Sequence, residues 1–433
     1  MLVSVILAAG KGTRMRSDLP KVLHPLLGAP LLEHVLDSAE PLSPTQKVVV
    51  VGYARDKVQA AFSTRGITWA IQEEQLGTAH AAHCGVEALD SGEDKAPRGD
   101  DTDVLILNGD LPLLRSETLK ALLEEHARAA AKVSILTCDL EDPTGYGRIV
   151  RSKEGHLERI VEEKDADATT RLIPEVNVGI YVFRLSVFKA AYKQIGRNNA
   201  QGELYLTDVV VEAAKAGHRV ATYKAADARE VAQVNSRAEL ARASQLLRER
   251  MLDDYMLHGV TIDDPASTYI EKGVSIGAES HIFPFTVIHR GVEIGEGCDV
   301  GPFVHLRSGT RISKGGSIGN FVELKNSSIG VDTKVRHLSY VGDSEIGARV
   351  NIGAGTIVAN YDGKKKHKTV VKDDAFVGSG TVIVAPVTIG KGAMTGAGSV
   401  ILRDRNVGDG EVVAGVPAKP LKKANHLKTT TRS

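Results

Sequence analysis

The hydrophobic pattern of the chain changes its period partway along. Up to residue 226, apolar runs such as VSVILAAG, KVVVVG, VLILNGD and KVSILTC alternate with segments of helical spacing at 31–39, 55–64 and 116–131. Apolar runs bounded by turn residues read as buried strands, and the segments between them as helices that connect and cover them. Residues 1–226 are therefore predicted to be an α/β domain on a Rossmann-like mixed sheet, with parallel βα units that collect ligands at the carboxyl ends of the strands. Residues 227–258 include REVAQVNSRAELARASQLLRERMLDDYML, rich in good helix formers, and are predicted to be a helical linker.

Past Gly259 a beat of six residues replaces the helical spacing. Ile270, Ile276, Ile282, Ile288, Ile294, Val300, Leu306, Ile312, Ile318 and Leu324 follow in unbroken register, often beside a glycine or another small residue. The beat slips by one before Ile329, Val335 and Val341, again before Ile346, Ile352 and Val358, and returns at Val377, Ile383 and Ile389. This is the hexapeptide signature of a left-handed parallel β-helix. With three hexads to a triangular coil, ~18 residues fill a coil and coils stack ~4.8 Å apart. Residues 259–433 are thus predicted to be a β-helix unit with a basic C-terminal tail, in which residues 260–416 form a prism of about eight or nine coils, roughly 40 Å long. One side chain per hexad is expected inside. Outward apolar residues such as Val304, Phe321 and Val377 are expected to need cover from a packed neighbour.

Composition narrows the partners. With 54 basic and 54 acidic side chains in 433 residues, overall charge gives no reason to expect nucleic acid. Cys84, Cys138 and Cys298 lie far apart without a CxxC pair, which disfavours a disulfide framework or cysteine metal site and suits a reducing cytoplasm. The first apolar run is short and has no basic region before it, and no run of about 18 apolar residues occurs, so neither export nor membrane insertion is expected.

Three stretches could carry chemistry. In VILAAGKGTRM, Gly10 and Gly12 stand with Lys11 and Arg14 after the first strand. The loop lacks the third glycine of a dinucleotide fingerprint and the Gly-Lys-Ser of a Walker loop. Small residues, free amides, the N-terminus of a following helix and two cations favour phosphate, although the same residues also make an ordinary turn. VLILNGD delivers Asn108, Gly109 and Asp110 to the sheet edge, where Asp110 could hold a cation over phosphate or cap the next helix. NYDGKKKHK interrupts the hexads and gathers Lys364, Lys365, Lys366 and Lys368, either as a solvated loop or as a cationic wall that holds phosphate.

In order along the chain stand LAAGKGTRM, DLPKVLH, QLGTAHA, NGD, DPTGYGRI, IVEEKDA, EVNVGIY and NAQGELYLTD, then LRSGT, GNFVELK, HLSYVGD, NIGAGT and NYDG. Over essentially its whole length the chain resembles the bacterial bifunctional N-acetylglucosamine-1-phosphate uridyltransferases and glucosamine-1-phosphate acetyltransferases. The resemblance implies acetyl transfer from acetyl-CoA to glucosamine 1-phosphate by the prism. It then implies Mg2+-dependent transfer of uridylyl from UTP to N-acetylglucosamine 1-phosphate by the first domain, with release of pyrophosphate. It also implies a cytoplasmic homotrimer assembled through the β-helix and acting on small molecules of cell-wall precursor synthesis.

Carried over position by position, the resemblance makes Leu7, Ala8, Ala9, Gly10, Gly12, Lys21, Gln72, Gly77 and Thr78 the UTP site, with Arg14 and Lys21 acting on the phosphates. Asp110 and Asn235 become the Mg2+ ligands, and Asn108, Gly147, Glu162 and Asn177 the N-acetylglucosamine 1-phosphate site. In the prism it implies Arg307, Lys325, Tyr340 and Asn351 for glucosamine 1-phosphate, His337 as general base, and Ala354, Asn360, Tyr361, Ser379 and Ala397 for acetyl-CoA. A histidine suits the base, because its ordinary pKa of about 6.5 lets it take a proton from the substrate ammonium at neutral pH. Three departures stand out. Asn108 replaces a frequent aromatic residue, and the prism is short between Gly259 and Arg307. Gly415 stands where some relatives place an arginine, which leaves coenzyme A phosphate to Lys419, Lys422 or Lys423. Two other readings use the same motifs. A nucleotidyltransferase whose prism only oligomerises would have no need of His337, Tyr340, Asn351 and NYDG, and a nucleotide-sugar-binding scaffold would have no need of Lys21 and Asp110.

Overall fold

A computed structural model describes residues 1–89 and 101–421; the predicted basic tail, with Lys422 and Lys423, lies outside them. The chain divides into two compact units at residues 246/247, within the helix Arg237–Leu257. Ahead of that helix the predicted helical linker is instead a short turn, Ala228–Val231, and an extended strap. Val231 and Val234 are buried, and the Val234 amide donates to Asp110 O at 3.0 Å, so this segment is held as part of the first unit.

The first unit is built on a nine-stranded mixed sheet. Its main path runs Val220–Lys224, Val133–Asp139, Glu175–Arg184, Asp103–Asn108, Leu2–Leu7, Lys47–Val51 and Thr68–Ile71. Pairing along it is parallel except at Glu175–Arg184, which is antiparallel to both neighbours. A hairpin, Gly147–Arg151 and Leu157–Val161, extends from that strand. Strand alternation sends Val3, Val5, Val48, Val50, Val104 and Ile106 into one core, shared with the helices Thr78–Ala88, Leu185–Tyr192 and Leu206–Lys215. Ile6, Val49, Val51, Leu105 and Leu107 enter the other, with Leu31–Ala39, Arg55–Ala61 and Ser116–Arg128. Both faces are covered, which is why these strands read as continuous apolar runs.

No α-helix directly follows the glycine loop. Leu2–Leu7 leads into a single turn of 3-10 helix, Thr13–Met15, flanked by Gly12 and Arg16 in left-handed conformation, and the first α-helix starts at Leu31. The two left-handed residues bend the backbone out of helical continuation, so any anion affinity here comes from loop amides and side-chain cations and not from a helix dipole.

The second unit is a parallel β-helix of three sheets with ten, eight and seven short strands. Each beat residue stacks on one a coil later: Ile282 on Val300, Ile288 on Leu306, Ile294 on Ile312. The beat positions form the interior, with Ile276 partly buried at its edge. The structure corrects the expectation of one inward side chain per hexad. A second inward position lies two residues earlier and is filled by small groups such as Thr268, Ser280, Thr286, Cys298, Val304 and Thr310. Several of the hydroxyls donate to corner carbonyls, as Thr286 to Phe283 O at 2.8 Å, Thr356 to Gly353 O at 2.7 Å and Thr381 to Gly378 O at 2.6 Å, which permits their burial. Val304 occupies this second position and is 1% exposed, while Val377, itself on the beat, is 0% exposed; neither faces outward. Phe321 does, at 54%. It stacks on Phe303 at a ring-centroid distance of 5.1 Å, and Phe303 on Phe285 at 4.8 Å, along one edge of the prism. Among the described residues, no helix is long and apolar enough to cross a membrane.

Candidate active sites

Two cavities adjoin at the carboxyl edge of the first sheet, sharing Thr78 and Asn108. The smaller, about 270 Å³, is lined by Leu7, Ala8, Ala9, Gly10, Lys21, Gln72, Gly77 and Thr78, all expected at a UTP site. Gln75 joins them, its amide donating to Ala9 O at 2.9 Å. Gly12 does not line this space. At φ 62°, a Cβ there would lie 2.6 Å from Lys21 Cβ, so Gly12 serves by letting Lys21 cross the loop. Gly77 opens the helix Thr78–Ala88 and accepts through its carbonyl from Gln72 Nε2 at 3.2 Å.

The larger cavity, about 680 Å³, is lined by Arg14, Asn108, Gly147, Glu162 and Asn177. Burial pushes the Glu162 carboxyl above its usual pKa, partly offset by the hydroxyl of Thr207, which donates to it at 3.1 Å. Asn177 Nδ2 donates to the Tyr181 hydroxyl at 2.7 Å, and Asn177 Oδ1 accepts from the Gly179 amide at 3.2 Å. The strand register breaks between Asn177 and Tyr181. Gly179 there has φ 84°, and a Cβ on it would collide with the Asn108 amide. Sequence reasoning passed over Tyr146 and Gln233, which also line this cavity. Tyr146 donates to Val231 O at 2.9 Å and accepts from the Gln233 amide at 3.3 Å. Its presence in DPTGYGRI was visible, but partners this distant in sequence were not.

Between the glycine loop and the strap, the Lys21 ammonium bonds Asp110 Oδ2 at 2.5 Å and Asn235 Oδ1 at 2.9 Å. Two oxygens thus converge on one cation, and the buried Asp110 Oδ1 has no hydrogen-bond partner. That donor set fits Mg2+. Among the described residues there is no cluster of three or more His, Cys, Asp or Glu that could hold a metal. Two protein oxygens are enough for an ion that keeps waters and takes substrate phosphates as ligands.

In the prism, His337 sits at a corner where its Nδ1 lies 3.1 Å from Asn320 Oδ1. With that oxygen as acceptor, Nδ1 donates, and in the neutral ring the Nε2 lone pair is left free. Register then explains the neighbours. Asn320 pairs with His337, Val335 with Ile352, Ile352 with Val377, Val377 with Thr395 and Thr395 with Val413. Two positions beyond these beat residues, His337, Ala354, Ser379, Ala397 and Gly415 fall in one column. The next position changes from Phe285, Phe303, Phe321 and Leu338 before and at His337 to Gly355, Gly380 and Gly398 after it, all with positive φ. From Gly355 to Gly398 this edge position is therefore bare backbone, open to close approach by a ligand, and beside Gly415 it ends in the exposed Val416.

Arg307 and Lys325 lie on neighbouring coils of the eight-stranded sheet, where Tyr340 also starts its strand. Arg307 bonds Glu323 at 3.0 Å. The Lys325 ammonium is held below its usual pKa, first by the adjacent Lys366 ammonium and further by Arg307. The inserted loop thus puts one of its lysines against the expected phosphate site. It is pinned there by Asp362, which accepts from the Lys364 and Lys365 amides at 2.9 Å each, from His367 at 2.6 Å and from Arg403 at 3.2 Å. Asn360 is buried and donates to Asp343 at 2.5 Å, whereas Tyr361 is exposed. Asn351 lies on a different sheet, paired with Lys334 and Phe376, so one chain does not bring it together with Arg307 and Lys325.

Residues 4–251 match the MobA-like NTP transferase domain. Residues 273–308 and 368–403 match the bacterial transferase hexapeptide repeat. The chain is similar to the "Bifunctional protein GlmU" of an Exiguobacterium strain, 45% identical over 93% of this chain and 94% of the relative. The protein so named in Exiguobacterium sibiricum is 43% identical over 93% and 95%, and that of Corynebacterium diphtheriae 41% over 92% and 89%.

Proposed function

Because the chain belongs to the GlmU family of bifunctional proteins, we infer that it is a bifunctional transferase of UDP-N-acetylglucosamine synthesis. It acetylates glucosamine 1-phosphate with acetyl-CoA and then joins N-acetylglucosamine 1-phosphate to the uridylyl group of UTP. The observation that carries the residue-level reading is the convergence of Asn235 on Lys21 and Asp110, which themselves line the cavity formed by the nucleotide motifs.

In uridylyl transfer the sugar phosphate is already a nucleophile, so alignment and charge neutralisation suffice. Gln72, Gly77 and Thr78 take the uracil, Lys21 and Arg14 the phosphates, and Asn108, Gly147, Glu162 and Asn177 the sugar. Asp110 and Asn235 would hold Mg2+, which when bound neutralises charge on the α-phosphate and the departing pyrophosphate. In acetyl transfer Arg307 and Lys325, joined by Lys366, hold the sugar phosphate, and Tyr340 and Asn351 position the ring. His337 Nε2 takes a proton from the 2-ammonium group; the freed amine forms its bond to the thioester carbonyl carbon, the carbon–sulfur bond breaks, and the second N–H proton passes to the departing thiolate, so that coenzyme A leaves as the thiol. The column of Ala354, Ser379 and Ala397 receives acetyl-CoA, with Asn360, Tyr361 and Lys419 nearer its periphery.

The acetyltransferase works as a cytoplasmic homotrimer. The exposed phenylalanine edge ending beside His337 supports this, as does the separation of Asn351 from Arg307 and Lys325 in one chain. An assay with glucosamine 1-phosphate, acetyl-CoA, UTP and Mg2+, each omitted in turn, tests the reactions; product formed without acetyl-CoA would overturn the sequence of steps. Sedimentation equilibrium tests the assembly. A mass three times 46.2 kDa is expected, and a fully active monomer would defeat the shared site.

A further inference from the structure

The strap that carries Asn235 is fixed by a side chain to which no role has been given. Glu239 Oε2 accepts from the Asn235 amide at 2.6 Å and from the Ser236 amide at 2.9 Å, and the Ser236 hydroxyl accepts from the Glu239 amide at 3.2 Å. This reciprocal cap starts the helix Arg237–Leu257. Such a cap ordinarily serves only the helix. Here it also sets the backbone of the residue whose Oδ1 stands 2.9 Å from the Lys21 ammonium. The amide just before it, Val234, donates to the carbonyl of Asp110, so both oxygen-bearing residues are registered on one strap. Arg237, one residue into the helix, donates to Met15 O at 3.1 Å and ties the same turn to the end of the glycine loop.

We propose that Glu239 is a positioning residue for the metal site of uridylyl transfer: its carboxylate, by holding the Asn235 and Ser236 amides, aims Asn235 Oδ1 at the point shared with Asp110. The proposal rests on the reading of Asp110 and Asn235 as Mg2+ ligands. Partners of this kind, which orient a ligand without touching the ion, typically change metal affinity by about 10- to 100-fold when removed.

The test is Mn2+ binding to the full chain with UDP-N-acetylglucosamine bound, followed by the electron paramagnetic resonance of the free ion. Glu239→Ala is expected to weaken binding about tenfold or more. Glu239→Gln, which keeps an oxygen acceptor for the two amides, is expected to restore it to near the wild-type value. Ser236→Ala removes the other half of the cap and lowers thermal stability, but is expected to leave Mn2+ affinity within about twofold because Glu239 still holds the strap. Equal loss in Ser236→Ala and Glu239→Ala would reduce Glu239 to a helix cap and overturn the proposal, as would unchanged affinity in Glu239→Ala. Asn235→Ala separates the two levels. If it binds Mn2+ like wild type, the ligand assignment itself fails and Glu239 has nothing to aim. If it weakens binding while Glu239→Ala does not, only the positioning role fails.

Discussion

The two units assemble their candidate sites by opposite routes. In the first, Lys21 meets residues 89 and 214 positions away, brought together by strands, a glycine loop and a strap. In the prism, His337 meets Asn320, and Asn360 meets Asp343, each 17 positions apart, about one coil. The first site depends on long closures, each pinned by its own contacts. The second is written on a lattice in which moving one coil keeps both face and height. Perturbations should therefore spread differently: a change in the first unit is felt through the segments tied to it, and a change on the prism stays near its own coil.

The largest expected effect separates the two chemistries. His337→Ala should lower acetyl transfer by about 10²- to 10⁴-fold and leave uridylyl transfer unchanged, with part of the loss recovered at high pH, where the amine is deprotonated without help. A loss under about tenfold with substrate binding intact would make His337 a bystander. Asp110→Ala should lower uridylyl transfer by roughly 10²- to 10³-fold while acetyl transfer persists; parallel loss in a folded variant would break the division between units.

A smaller effect sharpens the lattice picture. Lys366→Ala should raise KM for glucosamine 1-phosphate about tenfold with kcat little changed, since it removes a binding charge and not the base. The sign of the accompanying pH effect follows from the pair. The Lys366 ammonium holds Lys325 below its usual pKa, so without it Lys325 stays protonated to higher pH and the alkaline rise in KM should move upward. A downward move would show that the two lysines do not share one anion. The smallest effect tests the long closures. Gly179→Ala forces a side chain at φ 84° against Asn108 and should destabilise the first unit by about 1–2 kcal/mol. It should also raise KM for N-acetylglucosamine 1-phosphate, read by thermal unfolding and steady-state kinetics.

The strands VSVILAAG, KVVVVG, VLILNGD and KVSILTC could be read directly because burial on both faces makes them unbroken apolar runs. The β-helix could be read because a six-residue beat has few other physical explanations. The antiparallel strand Glu175–Arg184 and the hairpin beside it gave no such signal, since an apolar run does not state its direction. The helix expected after the glycine loop failed because left-handed Gly12 and Arg16 turn the chain away. The outward placement of Val304 failed because a β-helix hexad sends two side chains inward, and the second position is too often Thr or Ser to register as hydrophobic; Val377 lies on the beat itself and is buried for that reason.

What could be read from the sequence alone was therefore local and periodic: the apolar runs, the beat, and the motifs that nominate the residues of each candidate site. Only tertiary structure decided which of those residues meet. The triangle of Lys21, Asp110 and Asn235 depends on sheet order and on a strap held by Glu239, none of which has a period. The column from His337 to Gly415 depends on how many residues each corner takes, and the one-residue slips in the beat leave that count ambiguous until the coils are stacked. Periodicity reports which side of an element is buried; it carries no record of what lies across the gap, because that is set by chain closure and packing.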